Sequence, residues 1–232
     1  MYDWTLLCDF DGTIAFDDVT DAILSRFADP EWEAIEARWR NGSIGSRECM
    51  HQQVALVDAS LEELDALLDS LPIDPAFPGF VAEARARGMH VQVVSDGLDY
   101  AIRHMLARHG LGDLPVRANR LMHDGARGWQ LQSPHADNAC TPASGTCKCS
   151  IAREHARVLM VGDGRSDFCV AREADFVFAK KDLITHCRRL GILHRPIVDF
   201  SDACALLDML PALVGDRPRI PTESLPLRVH LA

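Results

Sequence analysis

Three short, mainly apolar runs in this chain each stop at small or acidic residues: WTLLC (4–8) before Asp9, HVQVV (90–94) before Ser95, and VLMV (158–161) before Gly162. Runs of this length, closed off so abruptly, predict buried parallel strands. Open α/β sheets bind ligands at the carboxyl edge of such strands, so three strands end where chemistry is expected. DFVFA (175–179) and PIVDF (196–200) predict two further strands, with helical segments starting near Pro78, Leu98, Arg165, Lys181 and Ser201. This alternation predicts an α/β fold, a parallel sheet flanked by helices. Residues 118–132, ANRLMHDGARGWQLQ, read as a β-hairpin around Asp124-Gly125.

The stretch 16–77 has helical rather than strand periodicity. Asp29 before Pro30 predicts an N-cap followed by proline at the first helical position, and Gly42 ends that helix. Ser60 and Glu63 form a capping-box pattern that opens another helix running to Ser70. Three or four short helices here would form a small cap over the sheet edge. The expected division is a discontinuous core, 1–15 and 78–232, with a helical cap at 16–77. After Gly215 the proline-rich tail is expected to be irregular and peripheral.

Composition narrows the class. The chain has 232 residues with 47% hydrophobic content, enough for a sizeable core, and no run approaches the length of a membrane span. Its first residues carry neither a basic leader nor a long apolar stretch, so the expectation is a cytoplasmic protein. A formal net charge of −10 argues against a general nucleic-acid or acidic-membrane binder. An anionic substrate must therefore be attracted locally. Eight cysteines, several in apolar stretches, do not read as a secreted disulfide framework. His135, Cys140, Cys147 and Cys149 share a loop, and zinc, a disulfide or free thiols are all open there.

The chemistry-bearing residues follow the strands. Asp9 and Asp11 stand at i and i+2 in DFDGT (9–13), so one can attack while its neighbour handles protons, and Gly12 permits a sharp turn. A carboxylate that attacks phosphorus needs the substrate's charge neutralised, which a hard, oxygen-ligated Mg²⁺ does. Asp163 and Asp167 in GDGRSD (162–167) supply further carboxylates. Ser95 offers a hydroxyl, and the backbone N–H groups of Asp96 and Gly97 offer donors for phosphoryl oxygens. Lys148 is the candidate cation, with Lys180 as the alternative. Trp32 and Trp39, seven apart, are expected to pack the helical insert's own core.

DFDGT, Ser95, Lys148 and GDGRSD occur in the order of the four motifs of the haloacid-dehalogenase superfamily, and the chain resembles its phosphatases throughout. The resemblance implies a Rossmann-like α/β core and an aspartyl-phosphate mechanism. Asp9 would be the nucleophile and Asp11 the general acid, then base. Mg²⁺ would be held by the Asp9 side chain, the Asp11 carbonyl and Asp163, with Asp167 organising the site. Thr13, Ser95, Asp96, Gly97 and Lys148 would bind the phosphoryl group. The helical insert is similar to that of the phosphoserine-phosphatase branch, in which Asp18 would read a substrate amine. Gln53, however, stands where that branch carries a carboxylate-gripping arginine, which demotes phosphoserine unless Arg38 or Arg47 substitutes. PEWE (30–33), VSDGLDY (94–100), the PH at 134–135 and the cysteine-bearing loop ending at Lys148 resemble the methionine-salvage phosphatases acting on an enol phosphate. Asp96 departs from that family, which usually shows glycine there. The expected partner is a small phosphorylated metabolite, and the expected state of the chain is a monomer or homodimer. A phosphotransferase using the same intermediate, or a phospho-ligand-binding module, is the alternative.

Overall fold

A computed structural model describes residues 4–210; the tail expected to be irregular after Gly215 lies outside the described residues. Seven strands form one sheet: β1 (Thr5–Cys8), β2 (His90–Leu98), β3 (Val116–His123), β4 (Trp129–Gln132), β5 (Val158–Gly162), β6 (Phe176–Ala179) and β7 (His194–Pro196). Their order is β4-β3-β2-β1-β5-β6-β7, and every neighbouring pair is parallel except β3 and β4. The chain thus builds outward from β1 on one side, then returns to build outward on the other. The reversal leaves a crevice beside β1, the position where doubly wound sheets bind ligands.

Register brings the three predicted chemical edges level. Cys8 pairs with both Val93 and Val161, so Asp9 leaves the sheet between the ends of β2 and β5. The ladder between β2 and β3 shifts register between Val94 and Leu98, the segment holding Ser95, Asp96 and Gly97. Such a bulge re-aims side chains out of the regular alternation. Both faces of β1 are covered, as its apolar sequence requires. Leu6 and Cys8 pack with Val93 and Val161 on one side, Leu7 with Val94 and Met160 on the other.

Four helices lie between β1 and residue 77: α1 (Val19–Phe27), α2 (Trp32–Arg40), α3 (Ser46–Val54) and α4 (Leu61–Ser70). The capping box at Ser60 and Glu63 forms as its spacing predicts. The remaining helices are α5 (Phe77–Ala86), α6 (Asp99–Arg108), α7 (Lys148–Arg153), α8 (Lys181–Leu190) and α9 (Phe200–Leu206).

Local departures have local causes. Asp29 does not cap α2 directly; its side chain accepts from Glu31 N–H at 2.9 Å, holding a turn that delays the helix to Trp32. The last strand covers His194–Pro196 rather than 196–200, because Asp199 instead caps α9 by accepting from Ser201 and Asp202 N–H. The segment after Gly164 forms two 3₁₀ turns, Arg165–Asp167 and Val170–Arg172, rather than an α-helix. In the hairpin, Asp124 Oδ1 accepts from Ala126 and Gly128 N–H, making the connection longer than a two-residue turn.

Phe77, Phe80 and Phe200 join α5 to α9, with ring centroids 4.7 Å apart for Phe77–Phe200 and 5.0 Å for Phe80–Phe200. All three are fully buried. Phe200→Ala should destabilise the fold by about 3–5 kcal/mol, read from urea unfolding.

Candidate active site

Asp9 is buried at the end of β1, where its backbone N–H continues the sheet by donating to Val161 O at 2.9 Å. One carboxylate oxygen, Oδ1, accepts from Phe10 N–H at 2.8 Å and meets Lys148 Nζ at 2.7 Å. The other accepts from Ser166 Oγ at 3.3 Å. The carboxylate plane is therefore set by three donors.

Lys148 opens α7 and is 2% exposed. Its ammonium also donates to Asp167 Oδ1 at 2.6 Å and Ser166 Oγ at 3.1 Å. Burial disfavours its charge, but Asp167 and Asp9 outweigh burial and hold the ammonium above its ordinary pKa. Burial and Asp167 push the Asp9 carboxyl up, opposed by Lys148. The alternative lysine faces elsewhere: Lys180 Nζ donates to Thr13 O at 3.1 Å and lies 5.9 Å from the Phe200 ring centroid.

Asp167 is fully buried, and its second oxygen accepts from Asp163 N–H at 2.9 Å and Gly164 N–H at 3.3 Å. A side chain at Gly162 would put Cβ 2.3 Å from that oxygen, so only glycine admits the turn. Oxygen atoms of Asp9, Asp163 and Asp167 all lie within 4.8 Å of one another, the one group of metal-competent donors among the described residues. Three carboxylates at one strand edge are hard donors suited to Mg²⁺. Gly12, at φ +69°, comes so close that an added Cβ would stand 2.3 Å from Asp163 Oδ2.

Asp11 lies on the other side of the turn, with Oδ1 accepting from Val19 N–H at 2.8 Å. Burial, then the charge of Asp18, pushes its pKa up to about 8. At neutral pH this carboxyl carries its proton. Gly97 faces it, since a Cβ there would lie 2.5 Å from Asp11 Oδ2 and 3.1 Å from Ser95 Oγ. Ser95 is buried, and its Oγ accepts from Gly97 N–H at 2.9 Å.

Other expected residues fall differently. Thr13 is fully buried and its hydroxyl lacks a partner. Asp18 is exposed and caps α1 by accepting from Asp21 N–H. The Asp96 carboxylate accepts from Ser46, Asn119 and Thr146. All eight cysteines are free thiols.

Two contributors were not singled out from sequence. Ser166, inside GDGRSD, touches both Asp9 and Lys148, and its place between two aspartates was the available signal. Lys181 Nζ stands 3.0 Å from Asp163 Oδ2, a contact across unrelated segments that no local pattern announces. Trp39 packs against the insert's own cluster of Ile35, Ile44 and Cys49, as expected, and also reaches beyond it, lying under Arg165 with the guanidinium 5.3 Å from the ring centroid. Trp32 packs against the main core rather than a separate one.

A buried aspartate at the β1 edge, a lysine bridging it to a second aspartate, and a protonated third carboxyl beside it suit phosphoryl transfer through a carboxylate. The family model described as "Putative Phosphatase" matches residues 4–213. The chain belongs to this phosphatase family. Its relatives include the 2-hydroxy-3-keto-5-methylthiopentenyl-1-phosphate phosphatase of Geobacillus kaustophilus, 33% identical over 90% of this chain and 97% of the relative. The enzyme of the same name from Brevibacillus brevis is 32% identical over 88% and 95%. A substrate-bound phosphoserine phosphatase superposes with a TM-score of 0.67 at 19% identity, covering 88% of this chain and 98% of its own. A phospho-aspartyl intermediate analogue of phosphoserine phosphatase gives 0.65 at 20%, covering 87% and 97%. These two structures share the fold of this chain. The protein is a phosphatase.

Gly97→Ala adds one methyl group against Asp11 and removes no polar group. Turnover of an alkyl phosphomonoester should fall by at least about tenfold if Asp11 supplies the leaving group's proton, because displacing such a group by an ångström is costly. Circular dichroism and the melting temperature check that the fold survives.

Proposed function

We propose that this phosphatase hydrolyses a small phosphomonoester through an aspartyl-phosphate on Asp9, with Mg²⁺ held by Asp9, Asp163 and the Asp11 carbonyl. The observation that carries the reading is the difference in partners between two neighbouring carboxyls. Asp9 is paired with Lys148, whereas Asp11 is held protonated near neutrality. A nucleophile needs a cation beside it, and a general acid needs a proton to give.

In the forward step Asp9 attacks phosphorus, and Asp11 gives its proton to the departing alkoxide oxygen. Asp11, now ionised, takes a proton from water as that water attacks the phosphoryl group, and Asp9 is released as a carboxylate. Lys148, Ser95 and the Gly97 N–H orient and neutralise the phosphoryl oxygens, and Asp167 holds Lys148 in place. Bound among the three aspartates, Mg²⁺ would offset the repulsion between the phosphoryl group and the attacking carboxylate. The four-helix insert, residues 16–77, acts as the cap that excludes water and contacts the leaving group.

For the substrate, we favour 2-hydroxy-3-keto-5-methylthiopentenyl-1-phosphate. The support is the shared name of relatives matched over nearly their whole length, together with the state of Gln53. Gln53 is 3% exposed and donates to Glu36 Oε2 at 3.1 Å, so it is committed within the insert. Arg38 is likewise engaged by Gln52 at 3.2 Å. Neither supports the grip on a carboxylate that phosphoserine requires.

Asp9→Asn should abolish Mg²⁺-dependent phosphate release from p-nitrophenyl phosphate; unimpaired turnover sinks the mechanism. With the wild-type enzyme, kcat/KM for the methylthiopentenyl phosphate should exceed that for phosphoserine by at least about tenfold, one lost charged contact's worth. The reverse order removes the substrate assignment. Phosphate transfer to added alcohols outpacing release to water would instead mark a phosphotransferase.

The pH profile follows from Asp11. Its folded pKa is raised, so the proton needed for leaving-group departure is present below about 8 and lost as pH rises through that value. Single-turnover formation of the phosphoenzyme should fall on that alkaline limb. The limb should be far weaker with p-nitrophenyl phosphate, whose leaving group needs little protonation.

A further inference from the structure

Asp96 occupies the bulge between Ser95 and Gly97, yet its carboxylate serves three other segments. Oδ2 accepts from Ser46 Oγ at 2.7 Å, at the start of α3. Oδ1 accepts from Thr146 N–H at 2.9 Å, two residues before Lys148, and from Asn119 Nδ2 at 3.1 Å on β3. Ser46 and Thr146 each lie fifty positions from Asp96 in the chain. One carboxylate thus ties the helical insert to the loop that delivers Lys148, while its own neighbours are Ser95 and Gly97.

The surrounding contacts are shaped for this docking. Arg47 N–H donates to Ala143 O at 3.0 Å, and Ala143 adopts φ +49°, a left-handed conformation that non-glycine residues rarely take. Gly45 approaches so closely that an added Cβ would stand 2.7 Å from Ala143 Cβ. Gly145 is equally constrained, with an added Cβ 2.2 Å from Asn119 Oδ1. A second bridge reaches α3 one turn later: Asn119 Oδ1 accepts from Ser133 Oγ at 2.7 Å, and Ser133 Oγ meets His51 Nε2 at 3.1 Å. Asn119 and Thr146 are buried, so these bonds are not interchangeable with water.

We propose that Asp96 is a positioning residue that couples docking of α3 to alignment of Ser95 and Lys148, so that the catalytic centre is completed only when the insert is seated. The inference rests on the role given to Lys148 above. Docking through a carboxylate suits this task because one group accepts from the insert and the lysine loop together. Loss of either donor loosens the other's anchor. Glycine at this position would leave the Thr146 N–H, Ser46 hydroxyl and Asn119 amide without the shared acceptor.

The test is steady-state kinetics on p-nitrophenyl phosphate with saturating Mg²⁺, run with melting temperatures and hydrogen exchange. Asp96→Gly should lower kcat about tenfold or more while KM moves less than about threefold, the signature of a lost transition-state alignment. Ser46→Ala should lower kcat in the same sense by a smaller factor. The double variant should be no slower than Asp96→Gly alone, because both changes break one linkage. Asp96→Asn keeps an acceptor for Thr146 N–H and an amide that can donate to Ser46 Oγ, so it should recover most of the loss. Amides 143–149 should exchange faster in Ser46→Ala.

A rise in KM with kcat unchanged, together with a silent Ser46→Ala, would show a direct substrate contact and overturn the proposal. A lower melting temperature with wild-type kcat and KM would reduce Asp96 to a stabilising residue and overturn it equally. If Asp96→Gly does not fold, Ser46→Ala and Asp96→Asn carry the same comparison. Lys148→Ala, assayed alongside, separates the two readings: wild-type turnover there removes the catalytic role of Lys148 and with it the premise of the proposal, whereas lost turnover there with wild-type kcat in Asp96→Gly and Ser46→Ala overturns the Asp96 linkage alone.

Discussion

The ion triad at the sheet edge is the constraint on which the rest of the structure depends. A single buried ammonium, Lys148, lies 2.7 Å from Asp9 and 2.6 Å from Asp167. Removing such charges from water costs several kcal/mol each unless close partners compensate, so the three groups must be held together by their surroundings. Much of the local architecture serves that requirement. Phe10 N–H, Asp163 N–H and Gly164 N–H each donate to one of the carboxylates, and Gly162 leaves room for Asp167. Even so, acidic groups outnumber the buried cation, which leaves the cluster attractive to a divalent ion.

That triad is assembled from three remote parts of the chain, and the sheet order explains how. Because β1 sits between β2 and β5, Asp9 emerges beside both the Ser95 bulge and the Gly162 turn. Helix α7 then brings Lys148 from the loop before β5. No strand needs to be distorted for this meeting except β2, whose register shift falls at Ser95–Gly97. Irregularity is concentrated where the backbone must expose donors rather than continue a ladder.

The helical insert meets the core through polar, directional contacts near the site and through apolar packing farther away. Ser46 to Asp96 and Trp39 to Arg165 lie at the edge of the catalytic crevice. On the hairpin side, Trp129 Nε1 donates to Ala59 O at 2.9 Å, and Arg127 pairs with both Asp58 and Glu63. The two kinds of contact have different consequences. Hydrogen bonds to single acceptors specify one docked arrangement, whereas apolar area holds surfaces together without fixing their orientation.

What the sequence determined by itself was the set of candidate reacting groups and their order: Asp9 and Asp11 after one apolar run, Ser95 after a second, Asp163 and Asp167 after a third. These were legible because strand-edge chemistry is local, with an apolar run and the turn after it lying next to each other in the chain. The capping box at Ser60 and Glu63 was readable for the same reason. Tertiary structure alone decided which lysine meets Asp9, since Lys148 and Lys180 both lie near the expected strands and only packing turns the second toward Thr13 and Phe200. It alone decided the occupation of Gln53 by Glu36, the approach of Lys181 to Asp163, and the three-way use of Asp96. Each of these joins residues far apart in the chain, and their meeting depends on strand order and helix docking, which no local pattern of side chains encodes.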